Sequence, residues 1–336
     1  MPNAIDLDNL ALAQVGDQDA FGRLTTPYCR ELLAHCYRML GSLQDAEDLV
    51  QETLLRAWRR LDSFERQVSF RAWLYRIATN ACLDLLDKRR VRTLPAAAHP
   101  PSDPQELFAP PTAEINWLEP IPDDLLDDAA TSPEARYSVH ESITLAFLIV
   151  LQTLPPRQRA VVIMRDVLDF SANEVAEILE MTVAAVNSGL HRGRVTLAKH
   201  YHANGEARLQ PADESLFKLL EQYILAWETG DVGKLVSLLK DDAILAMPPS
   251  PSWYFGNTAI RTFLENFPFW GQSRGLWHLE PMSANAQPAF KLFRRDSVTD
   301  PFQAIGIQVL TLYERQIAEI TVFLNPEFFV RFGFNR

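Results

Sequence analysis

Apolar residues recur at helical spacing in two stretches near the N-terminus that contain neither glycine nor proline, 45–58 and 70–90. Both stretches are predicted as helices. The apolar face of the second is formed by Phe70, Trp73, Leu74, Ile77, Ala81 and Leu85. Its opposite face carries Arg71, Arg76, Thr79 and Asn80, and it ends in Lys88, Arg89 and Arg90. A short polar loop, 61–69, joins the two helices and contains Phe64, and aromatic and polar groups beside a basic helix suit an unstacked base.

A second helical pattern lies between residues 154 and 199. Ser171 and Glu174 have the spacing of a capping box, which predicts a helix start, and Thr182 is placed to cap a second helix. The inward positions of the two helices are Val175, Ala176, Ile178, Leu179, Val183, Val186, Leu190 and Leu197. The outward positions of the second are Ala184, Ala185, Asn187, Ser188, His191, Arg192 and Arg194.

This second helix has the chemistry of a DNA reader. Between Thr182 and His200 the charged residues are Arg192, Arg194 and Lys199, and none is acidic. Small and amide side chains at the start of a helix suit base edges, and arginines behind them suit phosphates. An ordinary amphipathic helical pair with a basic face is the alternative interpretation.

The C-terminal part changes character after residue 213. Two amphipathic helices are predicted at 216–227 and 232–239, followed by strand-like runs. These runs are 243–247, 276–283, 289–293, 304–312 and 317–324. Helices followed by a series of strands predict an α+β domain with a curved sheet wrapped over helices.

Composition indicates a soluble, cytoplasmic, multidomain protein. The 336 residues suggest two or three domains, and no apolar run reaches the roughly 18 residues that span a membrane. The N-terminus lacks the features of a signal peptide. Cys29, Cys36 and Cys82 have no metal-binding spacing and are expected to be reduced. Neither a metal nor another cofactor is predicted.

The net charge of −11 is concentrated in one segment. Residues 95–136 contain nine acidic residues, one arginine and nine prolines, a composition that prevents a packed core and predicts a linker. Apolar residues nevertheless interrupt its acidic run, among them Trp117 and Leu118. A simple tether has no use for a tryptophan, so the segment 114–128 is expected to dock through these two residues.

Together these blocks resemble the sigma-70 family, and most closely its extracytoplasmic-function branch. The resemblance rests on D-A-E-D-L-V-Q-E-T-x-L-R-A-W, then F-x-A-W-L-x-x-I-A-x-N, then L-P-x-x-x-R and the helix-turn-helix, in that order. It covers residues 8–94 and 137–202, joined by the linker 95–136. It implies two all-α domains, with core RNA polymerase and promoter DNA as partners. In that family the linker passes near the polymerase active centre, where an acidic strand would face basic walls.

Site residues follow from the same resemblance. The implied face for core polymerase is Asp48, Gln51, Glu52, Arg56 and Arg59. The implied contacts to the −10 element are Phe64, Arg76, Asn80, Lys88, Arg89 and Arg90. The implied contacts to the −35 element are Thr182, Ala185, Asn187, Ser188, His191, Arg192 and Arg194.

Three residues depart from the family pattern. Glu180 occupies the turn where the family often has glycine, and a left-handed backbone there would be strained. Gly189 and Gly193 lie inside the predicted recognition helix, where each costs about 1 kcal/mol relative to alanine. Close packing against a neighbouring helix is the favoured explanation for Gly189 and Gly193. The alternative is a helix that becomes rigid only when it binds DNA.

Residues 213–336 resemble the SnoaL-like branch of the nuclear transport factor 2-like superfamily, a cone-shaped α+β fold. The resemblance rests on LLEQYILAWETGDVGKLVSLLKDDAIL and on the ending IQVLTLYERQIAEITVFLNPEFFVRFG. It implies a pocket, for which the candidate lining residues are Trp253, Tyr254, Trp270, His278 and Phe290. Candidate acids and bases are His278, Glu280, Asp242 and Tyr254. Plain core and surface roles for all of these remain the favoured alternative, and no catalytic residue is assigned.

The sequence thus predicts a non-enzymatic sigma factor with a fused regulatory or sensor domain, to which a small-molecule ligand is a possible partner. Two alternatives remain. One is a ligand-responsive helix-turn-helix regulator that never joins polymerase, which the block 45–58 disfavours because such a regulator does not need it. The other is a SnoaL-like isomerase or cyclase with accessory DNA-binding modules.

Overall fold

In the computed structural model of the chain, the structure describes residues 7–64, 69–89, 91–112, 116–126, 142–201, 214–269, 271 and 274–334. The chain divides into two compact units. The first takes in the described parts of 1–92 and 124–200, and the second those of 93–123 and 201–336. Both sigma-like blocks therefore belong to one unit, and the described part of the linker before Asp124 belongs to the C-terminal one.

The N-terminal block of the first unit is helical. Its helices are α1 (Leu7–Gln14), α2 (Gln18–Leu40), α3 (Leu43–Arg59) and α4 (Phe70–Leu86), with a short 3-10 turn at Leu61–Ser63. Polar caps fix where they begin, since the Ser42 and Ser69 hydroxyls accept the Asp45 and Ala72 N–H groups. Helix α4 ends at Leu86, four residues earlier than predicted, so Lys88 and Arg89 lie beyond it.

The second block of this unit contains the predicted helix-turn-helix. After α5 (Pro95–Ala98), which lies in the other unit, come α6 (Leu145–Thr153), α7 (Pro156–Val162), a π-helical turn (Ile163–Val167), α8 (Ala172–Leu179) and α9 (Val183–Tyr201). The predicted capping box of Ser171 and Glu174 is present with both hydrogen bonds. The Thr182 hydroxyl accepts the Ala185 N–H at 3.2 Å. Glu180 adopts the left-handed conformation expected of the turn, with φ of 53°.

The second unit has the predicted α+β architecture. Its helices are α10 (Glu214–Thr229), α11 (Val232–Ser237) and α12 (Asn257–Asn266), and its strands are β1 (Leu239–Ala246), β2 (Trp253–Phe255), β3 (Trp277–Ala284), β4 (Gln287–Arg294), β5 (Gln303–Tyr313) and β6 (Gln316–Phe323). The strand order is β2-β1-β6-β5-β4-β3, with β1 and β6 parallel and the other pairs antiparallel. The fold class is confirmed. Strand β2 and helix α12 were not predicted, and Leu239 begins a strand instead of ending a helix.

Aromatic side chains fill the core between the sheet and the helices of this unit. The Tyr254 and Phe263 rings stack at 4.3 Å, and the Tyr223 and Phe290 rings stack at 5.3 Å. The Tyr223 hydroxyl donates to the side-chain oxygen of fully buried Gln308 at 2.9 Å. Tyr254 and Phe290, which the sequence proposed as pocket lining, are therefore packed in the core.

Candidate polymerase and promoter interface

Helix α3 presents one exposed face. Asp48, Gln51 and Arg59 are exposed, while Glu52 and Arg56 are half-buried and form an ion pair at 2.7 Å. Leu55 lies in the row between Gln51 and Arg59 and is 51% exposed. Sequence analysis missed this leucine. The signal was its position off the face formed by the buried Val50, Thr53 and Ala57.

The candidate −10 residues differ in solvent exposure. Arg76, Lys88 and Arg89 are exposed and Asn80 is half-buried, whereas Phe64 is buried against the Phe70 and Trp73 rings. Arg90 lies outside the described residues. Arg89 pairs with Asp45 at 2.6 Å, and Arg92 holds the second oxygen of the same carboxylate at 2.8 Å.

One sequence assignment on α4 was wrong. Thr79 was placed on the exposed polar face, but it is fully buried and its hydroxyl lies 2.9 Å from His35 Nε2. Burial lowers the pKa of His35 to about 3, so the imidazole is neutral. The Thr79 hydroxyl donates its one proton to the Tyr75 carbonyl at 2.7 Å, so His35 Nε2–H donates to Thr79. The polar side chain therefore serves α2–α4 packing.

The candidate −10 helix contacts the helix-turn-helix within the first unit. Arg76 pairs with Glu180 of the turn at 2.5 Å, and the Tyr75 and Phe170 rings pack at 5.1 Å. The Arg76–Glu180 pair is about half exposed on both sides. An exposed pair of this kind contributes at most about 1 kcal/mol, so a DNA phosphate can displace the glutamate.

Two buried arginines join the blocks more firmly. Arg159 donates to the main-chain oxygens of Met39, Gln152 and Leu154 and to the Gln152 side chain. Arg38 donates to the Ser142 hydroxyl at 3.0 Å, and its carbonyl accepts from Gln152. Burial lowers the pKa of each arginine to about 10, which leaves both charged at neutral pH. Arg159 thus places a cation at the C-terminal ends of α2 and α6, where the helix dipoles favour one.

The recognition helix α9 exposes most of its predicted reading residues. Thr182, Asn187, Ser188, His191, Arg192 and Arg194 are exposed, and Ala185 is half-buried. Val183, predicted to point inward, is 38% exposed. Arg194 binds both oxygens of Asp166, at 2.5 and 3.1 Å, and this contact raises the pKa of its guanidinium. The charge of Arg194 is therefore partly neutralised by the Asp166 carboxylate.

Both glycines of α9 face α7, the helix before the π-helical turn. A β-carbon on Gly193 would collide with Cγ2 of Val162, which is fully buried. A β-carbon on Gly189 would meet Val161 at 3.8 Å, an ordinary contact. Close packing is therefore the reason for glycine at 193, as the favoured explanation predicted, but not at 189.

The linker docks on the C-terminal unit at the β3–β4 turn. The Asn285 side-chain oxygen accepts the Ile121 N–H at 3.1 Å, and the Asn285 N–H donates to the Ile121 carbonyl at 2.9 Å. The Ala286 N–H donates to the Asp123 carboxylate at 2.8 Å. Asn285 and Ala286 both have left-handed backbone, with φ of 56° and 54°. This conformation turns their N–H groups toward the linker.

Other linker residues cover the edge strand β2. The Ser102 N–H donates to the Trp253 carbonyl at 2.8 Å, and the Trp253 indole donates to the His99 carbonyl at 2.8 Å. Trp117 and Leu118 are buried, and the Trp117 ring lies 6.3 Å from that of His99. Covering an edge strand removes an exposed row of backbone donors and acceptors.

The candidate acids and bases of the C-terminal unit lie apart. Asp242 is near Lys240 at 3.3 Å and Glu280 is near Lys291 at 3.8 Å, both largely exposed. Tyr254 is in the core, where burial raises its pKa to about 12. His278 Nδ1 lies 2.8 Å from the Glu228 carboxylate. Trp270 lies outside the described residues.

Cys36 and Cys82 are buried free thiols, and burial beside Cys36 raises the pKa of Cys82. Across the described ranges, no cluster of three or more His, Cys, Asp or Glu side chains is arranged to hold a metal ion. No helix in the part of the chain that the structure describes is long and apolar enough to cross a membrane.

Comparison with known proteins places both helical blocks. The family model "Sigma-70 region 2" matches residues 24–92, and "Sigma-70, region 4" matches residues 145–197. The extracytoplasmic-function (ECF) RNA polymerase sigma factor SigG of Mycobacterium tuberculosis is 43% identical over 317 residues, which are 93% of this chain and 83% of that protein. SigW of Bacillus subtilis is 33% identical over 186 residues, 55% of this chain and 90% of that protein.

A solved structure extends the similarity beyond the helical blocks. The crystal structure of the ECF sigma factor SigJ of Mycobacterium tuberculosis superposes with a TM-score of 0.59 at 20% identity, covering 90% of this chain and 95% of that one. A helical unit carrying regions 2 and 4 defines a sigma-70-type initiation factor. The chain belongs to the extracytoplasmic-function sigma factors. It directs promoter-specific transcription initiation, with core RNA polymerase and promoter DNA as its partners.

Proposed function

We propose that this sigma factor works in the cytoplasm and divides its contacts among three surfaces. The exposed face of α3 binds core polymerase, α4 with Lys88 and Arg89 contacts the −10 element, and α9 reads the −35 element. The observation that carries the assignment is the acid-free, solvent-exposed row of α9 residues behind an intact helix-turn-helix cap. The C-terminal unit, in this proposal, is a non-catalytic regulator.

The regulatory role rests on chain connectivity. Residues 93–123 connect region 2 to the segment preceding region 4, and they are hydrogen-bonded to the C-terminal unit at β2 and at the β3–β4 turn. Regions 2 and 4 contact each other through the Arg76–Glu180 ion pair. This ion pair must break before Arg76 can bind DNA. A docked linker limits how far the two regions separate. Binding or release of the linker thereby shifts the chain between two states, provided that its affinity for the C-terminal unit differs between them.

The first prediction concerns polymerase binding. Gln51→Ala with Arg56→Ala should weaken core binding, and adding Leu55→Ala should bring the loss to at least about ten-fold, because it removes apolar surface that binding would bury. Titration of labelled core polymerase measures the affinity. Leu12→Ala is the matched control, since Leu12 is a comparably exposed helical leucine. If the triple variant binds core polymerase as tightly as the parent, the exposed face of α3 is not the polymerase-binding surface.

The second prediction concerns promoter reading. Arg192→Ala should weaken DNA binding across sequences and reduce the salt dependence by about one phosphate contact. Arg194→Ala should have a smaller effect because Asp166 already neutralises Arg194, and Asp166→Asn should strengthen binding. Ser188→Ala and His191→Ala should change the preferred base in a selection experiment. An unchanged preference would remove Ser188 and His191 from the reading set.

The third prediction concerns the docked linker. Asn285→Gly keeps the left-handed backbone and the N–H bond to the Ile121 carbonyl but loses the side-chain bond to the Ile121 N–H, so amide exchange in 116–126 should accelerate about ten-fold. Ala286→Gly is the matched control, because the same backbone change there removes no side-chain bond. Trp117→Ala and truncation after residue 210 should change transcription in vitro with core polymerase. If exchange and transcription are both unaltered in Asn285→Gly and Trp117→Ala, the linker does not regulate.

A further inference from the structure

The C-terminal unit has an open cavity of about 330 Å³ that belongs to none of the surfaces assigned above. It lies where α10 ends, β3 begins and the chain leaves β4. Its apolar wall is formed by Leu225, Trp277 and Phe302, and its polar wall includes Glu228, His278 and Arg295. The cavity borders the core between sheet and helices at Trp277, whereas Tyr223, Phe290, Tyr254 and Phe263 lie in that core and not in the cavity wall. Its volume is at the small end of the range for ligand pockets.

A histidine is held in a fixed orientation on the polar wall. His278 Nδ1 is bonded to Glu228 at 2.8 Å, and its ring contacts those of Phe302 and Phe293, with centroids at 5.3 and 6.1 Å. A carboxylate on Nδ1 fixes the tautomer and directs the other ring nitrogen, Nε2, to a different partner. Nδ1–H is donated to the Glu228 carboxylate, so the neutral ring presents the lone pair of Nε2, an acceptor, to the cavity.

Arg295 supplies a fixed cation beside this imidazole. Its Nε donates to the Gly275 carbonyl at 2.8 Å, and its guanidinium lies 4.5 Å from the centre of the Phe302 ring. Gly275 has φ of +74°, a conformation that favours glycine, and its N–H donates to the Glu228 carbonyl at the end of α10. The same turn thus ties both charged residues in place. The terminal guanidinium nitrogens keep donors for a planar anion.

We propose that this cavity binds a small carboxylic acid with an apolar body. The carboxylate would be held by the terminal guanidinium nitrogens of Arg295, and the hydrocarbon part would lie against Leu225, Trp277 and Phe302. A neutral ligand leaves Arg295 unused, and an inorganic anion leaves the apolar wall uncovered.

The test uses the full chain and three probes of increasing bulk: isovalerate, benzoate and phenylacetate. Binding is measured by isothermal titration calorimetry and by saturation-transfer NMR. At least one probe should bind with a dissociation constant of a few millimolar or lower, and its uncharged amide should bind at least ten-fold more weakly. Arg295→Gln should weaken binding at least ten-fold. Arg315→Gln, the same charge change in the exposed β5–β6 turn, should leave it unaltered.

Phe302→Ala provides a second variant for the case in which Arg295→Gln fails to fold, because Phe302 is partly exposed, and it should weaken binding at least five-fold. The proposal is overturned if none of the three acids binds. It is also overturned if an amide binds as well as its acid, or if Phe302→Ala or a folded Arg295→Gln binds like the parent. Inorganic phosphate that binds as tightly as the best acid would mean a general anion site and would equally overturn it.

Discussion

Gly193→Ala is expected to destabilise the helix-turn-helix by about 2 kcal/mol, although alanine is the better helix former. The added methyl group would collide with Cγ2 of Val162. Val162 is fully buried in a helix, where a β-branched side chain has one preferred rotamer and cannot swing away. Overpacking should therefore exceed the gain of about 1 kcal/mol in helix propensity.

Gly189→Ala is the matched control, and it should stabilise the same helix. Its methyl group would meet Val161 at 3.8 Å, an ordinary contact, so the gain in propensity should remain and stabilise the unit by about 0.5–1 kcal/mol. Native-state hydrogen exchange of α9 amides measures both changes without interference from the other unit. Val162→Ala should rescue Gly193→Ala in a double-mutant cycle. Equal effects of the two glycine substitutions would contradict the packing explanation.

Local signals in the sequence were enough to predict the helix-turn-helix. The Ser171–Glu174 capping box and the Thr182 cap involve residues three apart, so their spacing alone specifies the hydrogen bonds. The order of the two helical blocks was enough to identify the family. The burial of Trp117 and Leu118 could be predicted from their apolar character in an acidic linker.

Contacts between residues far apart in the sequence could not be predicted in the same way. Thr79 lies at a helical position that suits a polar face, but in the structure it is buried and hydrogen-bonded to His35, which is 44 residues away. His278 and Glu228 are 50 residues apart, and their pairing depends on the turn that brings α10 beside β3. The three-residue strand β2 is too short to show alternation, and the linker that covers it is distant in sequence. Exposure of Leu55 depends on which face of α3 the other helices cover.

Arg159→Met should give the largest loss of stability among the predicted substitutions, about 3 kcal/mol in the unit that contains regions 2 and 4. Arg159 is fully buried and donates to carbonyls at the ends of α2 and α6. Methionine has a similar length but no donor, so these carbonyls would remain buried without that partner. Each unsatisfied buried acceptor costs about 1–3 kcal/mol, and the helix ends also lose a favourable cation.

The neighbouring Arg157 distinguishes this cause from a general loss of charge on α7. Arg157 is exposed and makes one long hydrogen bond, 3.5 Å to the Leu179 carbonyl, so Arg157→Met should change stability by less than about 0.5 kcal/mol. Exchange of amides at the C-terminal end of α2 should accelerate at least about a hundred-fold in Arg159→Met and be unchanged in Arg157→Met, since about 1.4 kcal/mol corresponds to ten-fold. Because Arg159 belongs to the region 4 block and Met39 to the region 2 block, the same variant measures how strongly the two regions hold each other. Similar exchange in both variants would mean that the Arg159 contacts do not join the two blocks.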